Sequence, residues 1–274
     1  MATSKIMNTT SLLTLALAGA LPLTAQAQAA PDSWRWSTTL YAWVPAIGGS
    51  TSFPATGTGP NINVSSGDVL DALKMAFMGS LEARKGKWGV WTDVVYADFG
   101  ADKSGTRDFT VGDHGIPVGV EANLGLDVTS WIWSLAGLYN LADKPEGTAD
   151  LVFGTRLLDM DQSLRWSITG TVPGLPPAGQ SGTANVGLSN WDAFVGVKGR
   201  INLGSDRKWF MPYYLDVGTG ESKFTWQAVA GIGYQFGWGS VIAAWRYLDY
   251  DFKSGQAVQS LNLNGGALGV QFSF

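Results

Sequence analysis

The 274 residues contain one histidine, His114, in the segment VGDHGIP (Val111–Pro117), directly after Asp113. An imidazole beside a carboxylate, with serine hydroxyls elsewhere in the chain, is raw material for a general base and a nucleophile. Such chemistry needs an orienting partner and a nucleophile within hydrogen-bond reach, and no motif around His114 supplies either. A solvated loop imidazole is the plainer reading, with a hydrolase built on His114 as the remote alternative. Two acidic segments, Asp159-Met160-Asp161 and YLDYD (Tyr247–Asp251), could touch a divalent cation, yet they lack the ligand number and spacing of a calcium loop. Gly231-Ile232-Gly233 is not a phosphate loop, because no helix follows it. Small residues there let a neighbouring side chain approach the backbone. The expectation is a chain without catalytic residues, metal ligands or cofactor, and not an enzyme.

Charge placement says more than any motif. Arg35, Lys74, Glu82, Arg84, Asp93, Arg156, Lys198, Arg200, Asp216 and Arg246 fall on the polar face of segments that alternate with period two. Seven are basic and three acidic. If the opposite faces meet lipid, this phase is required, since a charge facing lipid near the midplane costs about 2–4 kcal/mol. Two readings of the inward set stay open. They form a salt-bridged plug, because narrow barrels fill with side chains, or their positive excess lines a narrow path preferring anions. The size of a ten-strand barrel favours the plug.

The elements that carry these residues are strands. Trp34, Trp36, Leu40, Ala42 and Val44 oppose Arg35, Ser37, Thr39 and Tyr41, and Met75, Phe77, Gly79, Leu81 and Ala83 oppose Lys74, Ser80, Glu82 and Arg84. Trp191, Ala193, Val195, Val197 and Ile201 oppose Asp192, Lys198, Arg200 and Asn202. The theme continues to the C-terminus, where Leu268, Val270, Phe272 and Phe274 oppose Gly269, Gln271 and Ser273. A helix needs apolar residues three and four apart, a pattern these segments lack. Aromatic residues at the ends of the outward faces are placed as the girdles of a membrane barrel are placed. The fold expected is all-β: an antiparallel transmembrane β-barrel of outer-membrane type. Lys85-Gly86-Lys87, 204–208 and 237–239 read as tight periplasmic turns, and 99–121 and 169–189 as long external loops. If 48–73 is one more external loop, with a strand near Asn61–Ser65 and a helical turn at Asp68–Leu73 capped by Ser66 or Asp68, ten strands close the barrel. If it adds a wall strand, an even count requires another near 106–120 and gives twelve.

Composition agrees. Charged residues are 15% of the chain, against ~25% in an average soluble domain, while 36 glycines and 13 tryptophans are present. The apolar and aromatic content excludes disorder, and no run after residue 30 suits a membrane helix. A formal charge of −4 excludes nucleic acid as a partner. Residues 1–29 read as a signal peptide: Lys5, the apolar run Ser11–Leu23, then Ala25-Gln26-Ala27 and Ala27-Gln28-Ala29 as cleavage sites. Residues 30–274 form the single barrel domain. The chain has no cysteine, so disulfides play no part in its stability.

WSTTLYAWVP (Trp36–Pro45), SGDVLDAL (Ser66–Leu73), LEARKGKWGVW (Leu81–Trp91), FTWQAVAGIGY (Phe224–Tyr234) and AWRYLDYD (Ala244–Asp251) resemble a family of uncharacterised bacterial outer-membrane β-barrel proteins. The resemblance covers most of the chain after the signal and brings no active site with it. It implies residence in the outer membrane of a Gram-negative cell, contact with its lipid and lipopolysaccharide, and delivery by the barrel-assembly machinery. The ending VQFSF, with Phe272 and Phe274, resembles the terminal-strand signal which that machinery recognises. The function expected is a structural or loop-mediated binding role, with a narrow anion-preferring pore for small solutes as the alternative.

Overall fold

The computed structural model describes residues 33–51, 61–111, 116–171, 178–254 and 258–274. The signal peptide expected at 1–29 and His114 lie outside them. Eleven strands and one short helix follow in chain order: β1 (Arg35–Thr51), β2 (Asn61–Val64), α1 (Ser66–Ala72), β3 (Leu73–Lys85), β4 (Trp88–Val111), β5 (Ile116–Lys144), β6 (Gly147–Thr171), β7 (Ala178–Leu203), β8 (Trp209–Gly220), β9 (Ser222–Gln235), β10 (Ser240–Phe252) and β11 (Val258–Ser273). From β3 to β11 each strand pairs with the next, and β1 joins β3 to β11. Ser37↔Ser273 through Thr51↔Val258 close the ring, and Trp36 and Phe274 exchange backbone bonds of 2.8 and 2.9 Å at its foot. Ten strands therefore form a closed antiparallel barrel of outer-membrane type, whose ladders satisfy most of its backbone groups strand to strand.

The outer face is apolar and carries two aromatic belts. The lower holds Trp88 on Tyr139 (4.8 Å), Trp209 on Tyr234 (4.9 Å) and Trp238 on Phe272 (5.6 Å). The upper holds Tyr96 on Trp131 (4.5 Å), Trp133 on Trp191 (5.9 Å) and Trp226 on Tyr247 (4.7 Å). Tyr96 follows Trp88 by eight residues, as Tyr234 follows Trp226. At ~3.3 Å per residue and a tilt near 40°, the belts stand about 20 Å apart, close to the ~25 Å apolar band of such barrels. Val90, Phe153, Val195, Leu215, Ile232 and Leu268 fill the band and are all exposed. That surface belongs in a bilayer.

The twelve-strand alternative fails for a structural reason. β2 is a strand, but it pairs only with β1 (Ile47↔Val64 to Ser50↔Asn61), above the stretch where β1 pairs with β3. β2, α1 and β3 thus share one wall position as a single descending strand interrupted by a helix. The helix is capped by Ser65 rather than by Ser66 or Asp68. The Ser65 hydroxyl accepts the Asp68 N–H at 3.2 Å and the Asp68 carboxylate accepts the Ser65 N–H at 3.3 Å, a reciprocal cap.

The long external loops are also corrected. β4 and β5 stay paired to Val111↔Ile116, and β6 and β7 to Gly170↔Ala178, so most of 99–121 and 169–189 is ladder. Above the upper belt neither face needs to be apolar, and the alternation that marks a strand fades although the hydrogen bonds continue. The outcome is lopsided: β4–β7 rise as a tall sheet, while β8–β10 end near the upper belt.

Candidate functional site

The lumen is the candidate site, and it changes character with height. At the end of the barrel that carries the short turns lies a cavity of about 570 Å³ whose walls include Arg35, Asp143, Arg200, Phe210 and Gln271. The Arg200 guanidinium sits over the Phe210 ring, 5.2 Å from its centre. The tip of the Phe210 ring closes on Gly233, where a Cβ would come within 2.3 Å of it. That is the close approach which the Gly231-Ile232-Gly233 segment permits.

Above the mouth, charged groups brace the barrel from wall to wall. Glu82 on β3 takes Arg84, its neighbour on the same face, and Lys198 of β7 at 2.6 Å. Arg84 turns its fork onto Asp150 of β6, at 2.9 and 2.6 Å, and Asn140 adds a third bond to that carboxylate at 2.9 Å. One level higher, Arg246 of β10 reaches Asp93 of β4 at 3.1 Å and Gln227 at 2.9 Å. Tyr41 completes the group: its hydroxyl accepts from Arg246 at 2.8 Å and donates to Asp93 at 2.7 Å. Arg156 of β6 pairs with Asp216 of β8, and both are fully buried. Asp192 accepts from Asn190 at 2.6 Å and from the Ser222 N–H at 2.8 Å. The ion-pair partners stand on strands that are not neighbours in the sheet, apart from the contact within β3. Each bridge between strands therefore skips at least one intervening strand, and Arg246–Asp93 spans the lumen.

The upper lumen is apolar. Trp43, Val95, Ile132, Leu158, Leu248, Tyr250, Phe252, Leu261 and Leu263 form one buried cluster, with Met78, Met160 and Leu188 against it. Arg246 over the Trp43 ring at 4.6 Å joins the charged zone to this cluster, whereas Arg156 over Phe194 at 4.8 Å and Lys198 over Trp91 at 5.0 Å meet a second buried apolar cluster, Trp91, Ala136, Leu138, Val152, Phe194 and Tyr214, set among the braces themselves.

Nine of the ten side chains expected inward are placed in this lumen. Lys74 is not. A register shift between Leu73 and Met75 turns it out of phase, and its amine meets Asp127 at 2.5 Å on the outer face, beside Arg165 at 2.6 Å from the same carboxylate. This trio lies beyond the upper belt, where the Lys74 bond holds Asp127 below, and Asp127 holds the Lys74 amine above, their ordinary titration ranges.

The ten counted charges left out three acids, of which Asp192 already stands on the polar face read from the sequence. Asp143, Asp150 and Asp192 join Glu82, Asp93 and Asp216, so six acids face the six bases Arg35, Arg84, Arg156, Lys198, Arg200 and Arg246 among the described residues. The excess of positive charge is gone. Asp192 shares its strand face with Lys198 and Arg200, and Asp150 shares its face with Arg156, so phase alone points to both. Asp143 is harder, because a register shift between Asn140 and Ala142 intervenes.

Among the described residues no group of three or more His, Cys, Asp or Glu could hold a metal ion. The acidic segment Tyr247–Asp251 is engaged elsewhere: Asp249 accepts the Tyr247 hydroxyl at 3.1 Å, and Asp251 meets Lys223 at 3.1 Å. Phe272 packs in the lower belt, and Phe274 at the strand end is the most exposed large apolar side chain among the described residues, at 73%.

No protein-family profile and no curated protein matches the chain. Among solved structures it is similar to the translocator domain of the autotransporter NalP from Neisseria meningitidis, with 15% identity, 88% of each chain covered and a TM-score of 0.37. It is similar to Ail, the attachment invasion locus protein of Yersinia pestis, with 9% identity, 89% of this chain and 99% of that one, and a TM-score of 0.30. The outer membrane protease OmpT from Escherichia coli gives 8% identity, 89% and 97% coverage, and a TM-score of 0.38.

Proposed function

We propose that this chain is an outer-membrane barrel braced shut across its lumen, with a structural role or one exercised by binding at its tall external hairpins rather than by conduction. One observation carries the reading. The inter-strand pairs Arg246–Asp93 and Arg156–Asp216 lie directly beneath a buried apolar cluster, so a solute would have to break ion pairs and then enter hydrocarbon. The belts and the apolar outer band support a bilayer location, and the signal-like N-terminus supports the outer membrane. Lipid and lipopolysaccharide are then its surroundings, and the barrel-assembly machinery its route, with Phe272 and Phe274 as the signal. No catalysis is assigned to it, and no hydrolytic role to His114.

A narrow anion-preferring path is the second reading. It is favoured by Arg35 and Arg200, which line the periplasmic cavity without an ion-pair partner among the described residues. Planar-bilayer recording on refolded protein separates the two. Insertion without unit conductance is expected. Discrete channels with anion preference in a salt gradient, weakened by Arg200→Glu, would establish the pore instead.

A further inference from the structure

One seam of the barrel is not closed by ladder bonds. β1 and β3 pair from Arg35↔Arg84 to Leu40↔Gly79, and on that edge β1 pairs again only with β2, from Ile47↔Val64 upward. Between these points Tyr41–Ala46 keep full register with β11 but have no ladder partner on the other side. β3 meanwhile stays paired with β4 up to Leu73. The two strands part as a V, with Leu40 and Gly79 at its foot and α1, packed against β1, across its top.

The sequence suits an unpaired edge there. Trp36 exchanges bonds with Phe274, so even-numbered peptide groups of β1 face β11 and odd-numbered ones face the seam. Pro45 is odd, and its missing N–H falls where no partner strand would receive it. Trp43 is odd too, and its backbone N–H goes to the thioether sulfur of Met78 at 3.1 Å, a weak acceptor in place of a carbonyl.

Depth gives the seam its meaning. Gly79 pairs with Val94, two residues below Tyr96 of the upper belt. Along the other side, Ala46 stands level with Asn264 and so with Tyr247, again in the upper belt. The seam therefore spans the outer-leaflet half of the apolar band. Exposed Leu40, Met75 and Phe77 border it on the lipid side. Trp43 and Met78 lie behind, against the apolar upper lumen. An open strand edge at this depth is costly unless it is covered, and at the level of Trp43 the cover is methionine, a flexible side chain that repacks readily.

We propose that this seam is a lateral site for one alkyl chain from the outer leaflet, seated between β1 and β3 with Met78 as its movable stop and Trp43 behind it. The site opens onto hydrocarbon and is walled by apolar side chains, so a lipid chain is the occupant its chemistry selects. The proposal concerns the wall and is independent of whether the lumen conducts.

The test uses the intact barrel in vesicles of a phospholipid bearing a photoreactive diazirine in mid-chain, with adducts mapped by mass spectrometry. Phe77 faces lipid and reports full contact, while Leu158 and Leu248 face the lumen away from the seam and report none. Adducts on Trp43 and Met78 well above those on Leu158 and Leu248 are expected, although both also face inward. Adducts confined to outward residues, or spread equally over Leu248, would overturn the site. Met78→Phe should fill the seam and reduce the Trp43 adduct to the Leu248 level while Phe77 labelling persists. An unchanged Trp43 adduct in that variant would overturn the role given to Met78.

Discussion

The lower and upper halves of the lumen solve the same packing problem with opposite chemistry. The lower half is filled by charges paired between separate strands, with the rings of Trp91, Phe194 and Tyr214 set among them, the upper by Leu158, Leu248, Tyr250, Phe252 and their neighbours without an ion pair. The lower arrangement specifies geometry, because an Arg fork on a carboxylate fixes the distance between two distant strands. The upper specifies only that water and solutes stay out. A barrel built of the lower half alone would brace its walls yet remain a vestibule. The apolar half is what makes it a plug.

The boundary between the halves is where the largest effect is expected. Arg156 and Asp216 are both fully buried, so Asp216→Ala strips a buried arginine of the carboxylate it is bonded to. Removing one partner of such a pair costs about 3–5 kcal/mol. The denaturant midpoint for unfolding from vesicles should fall accordingly. The double change Arg156→Met with Asp216→Leu should recover most of that loss, because it removes the stranded charge. A double variant as unstable as the single one would show that the pair contributes more than charge balance.

In the upper half, Leu248→Ala removes a side chain of 0% exposure from the centre of the cluster. A loss of about 2–4 kcal/mol follows from the cavity it leaves. The informative contrast is conduction. If the plug is the apolar half, Leu248→Ala or Tyr250→Ala should raise leak through the inserted barrel. Glu82→Gln, which weakens only the lower bracing, should leave the lumen shut while costing about 1–2 kcal/mol in charged hydrogen bonds to Arg84 and Lys198. Leak produced by the Glu82 variant alone would reverse the assignment of roles.

Much of this division is written in the period-two phase. Trp43, Leu158, Leu248 and Tyr250 fall on inward faces as surely as Arg156 and Arg246 do, and the wall strands could be read residue by residue. The alternation does not report what happens when a strand loses register. Lys74 was expected inward because phase was carried unbroken from Arg84, and the shift between Leu73 and Met75 reverses it. The same blindness hid Asp143 beyond the shift at Asn140, and with it part of the charge balance. Nor could phase show that β2, α1 and β3 share one wall position. That depends on which edge of β1 each of them meets, a matter of pairing between segments rather than of pattern within one.

The smallest effect is expected outside the bilayer, where the same charge chemistry meets water. Asp127 bridges Lys74 and Arg165 on the outer face above the upper belt, just as Glu82 bridges Arg84 and Lys198 inside. The external trio is solvated, so salt screens it and side-chain entropy opposes it, while the internal trio is shielded from both. Lys74→Ala should leave the unfolding midpoint unchanged within error. Because Asp127 is held below its ordinary range, its share of the contact persists at neutral pH and is lost only as the pH falls through that depressed value. The Lys74 share is lost at the opposite end, as the pH rises through its raised value. Stability should therefore be indifferent to pH from this region across the neutral range. Comparing Lys74→Ala with Lys198→Ala at low and high salt isolates burial as the variable, since each removes one amine from a bridged carboxylate. A midpoint loss for Lys74→Ala equal to that for Lys198→Ala would mean that the external cluster is shielded by the headgroups packed around it, and that the upper edge of the membrane lies above Asp127.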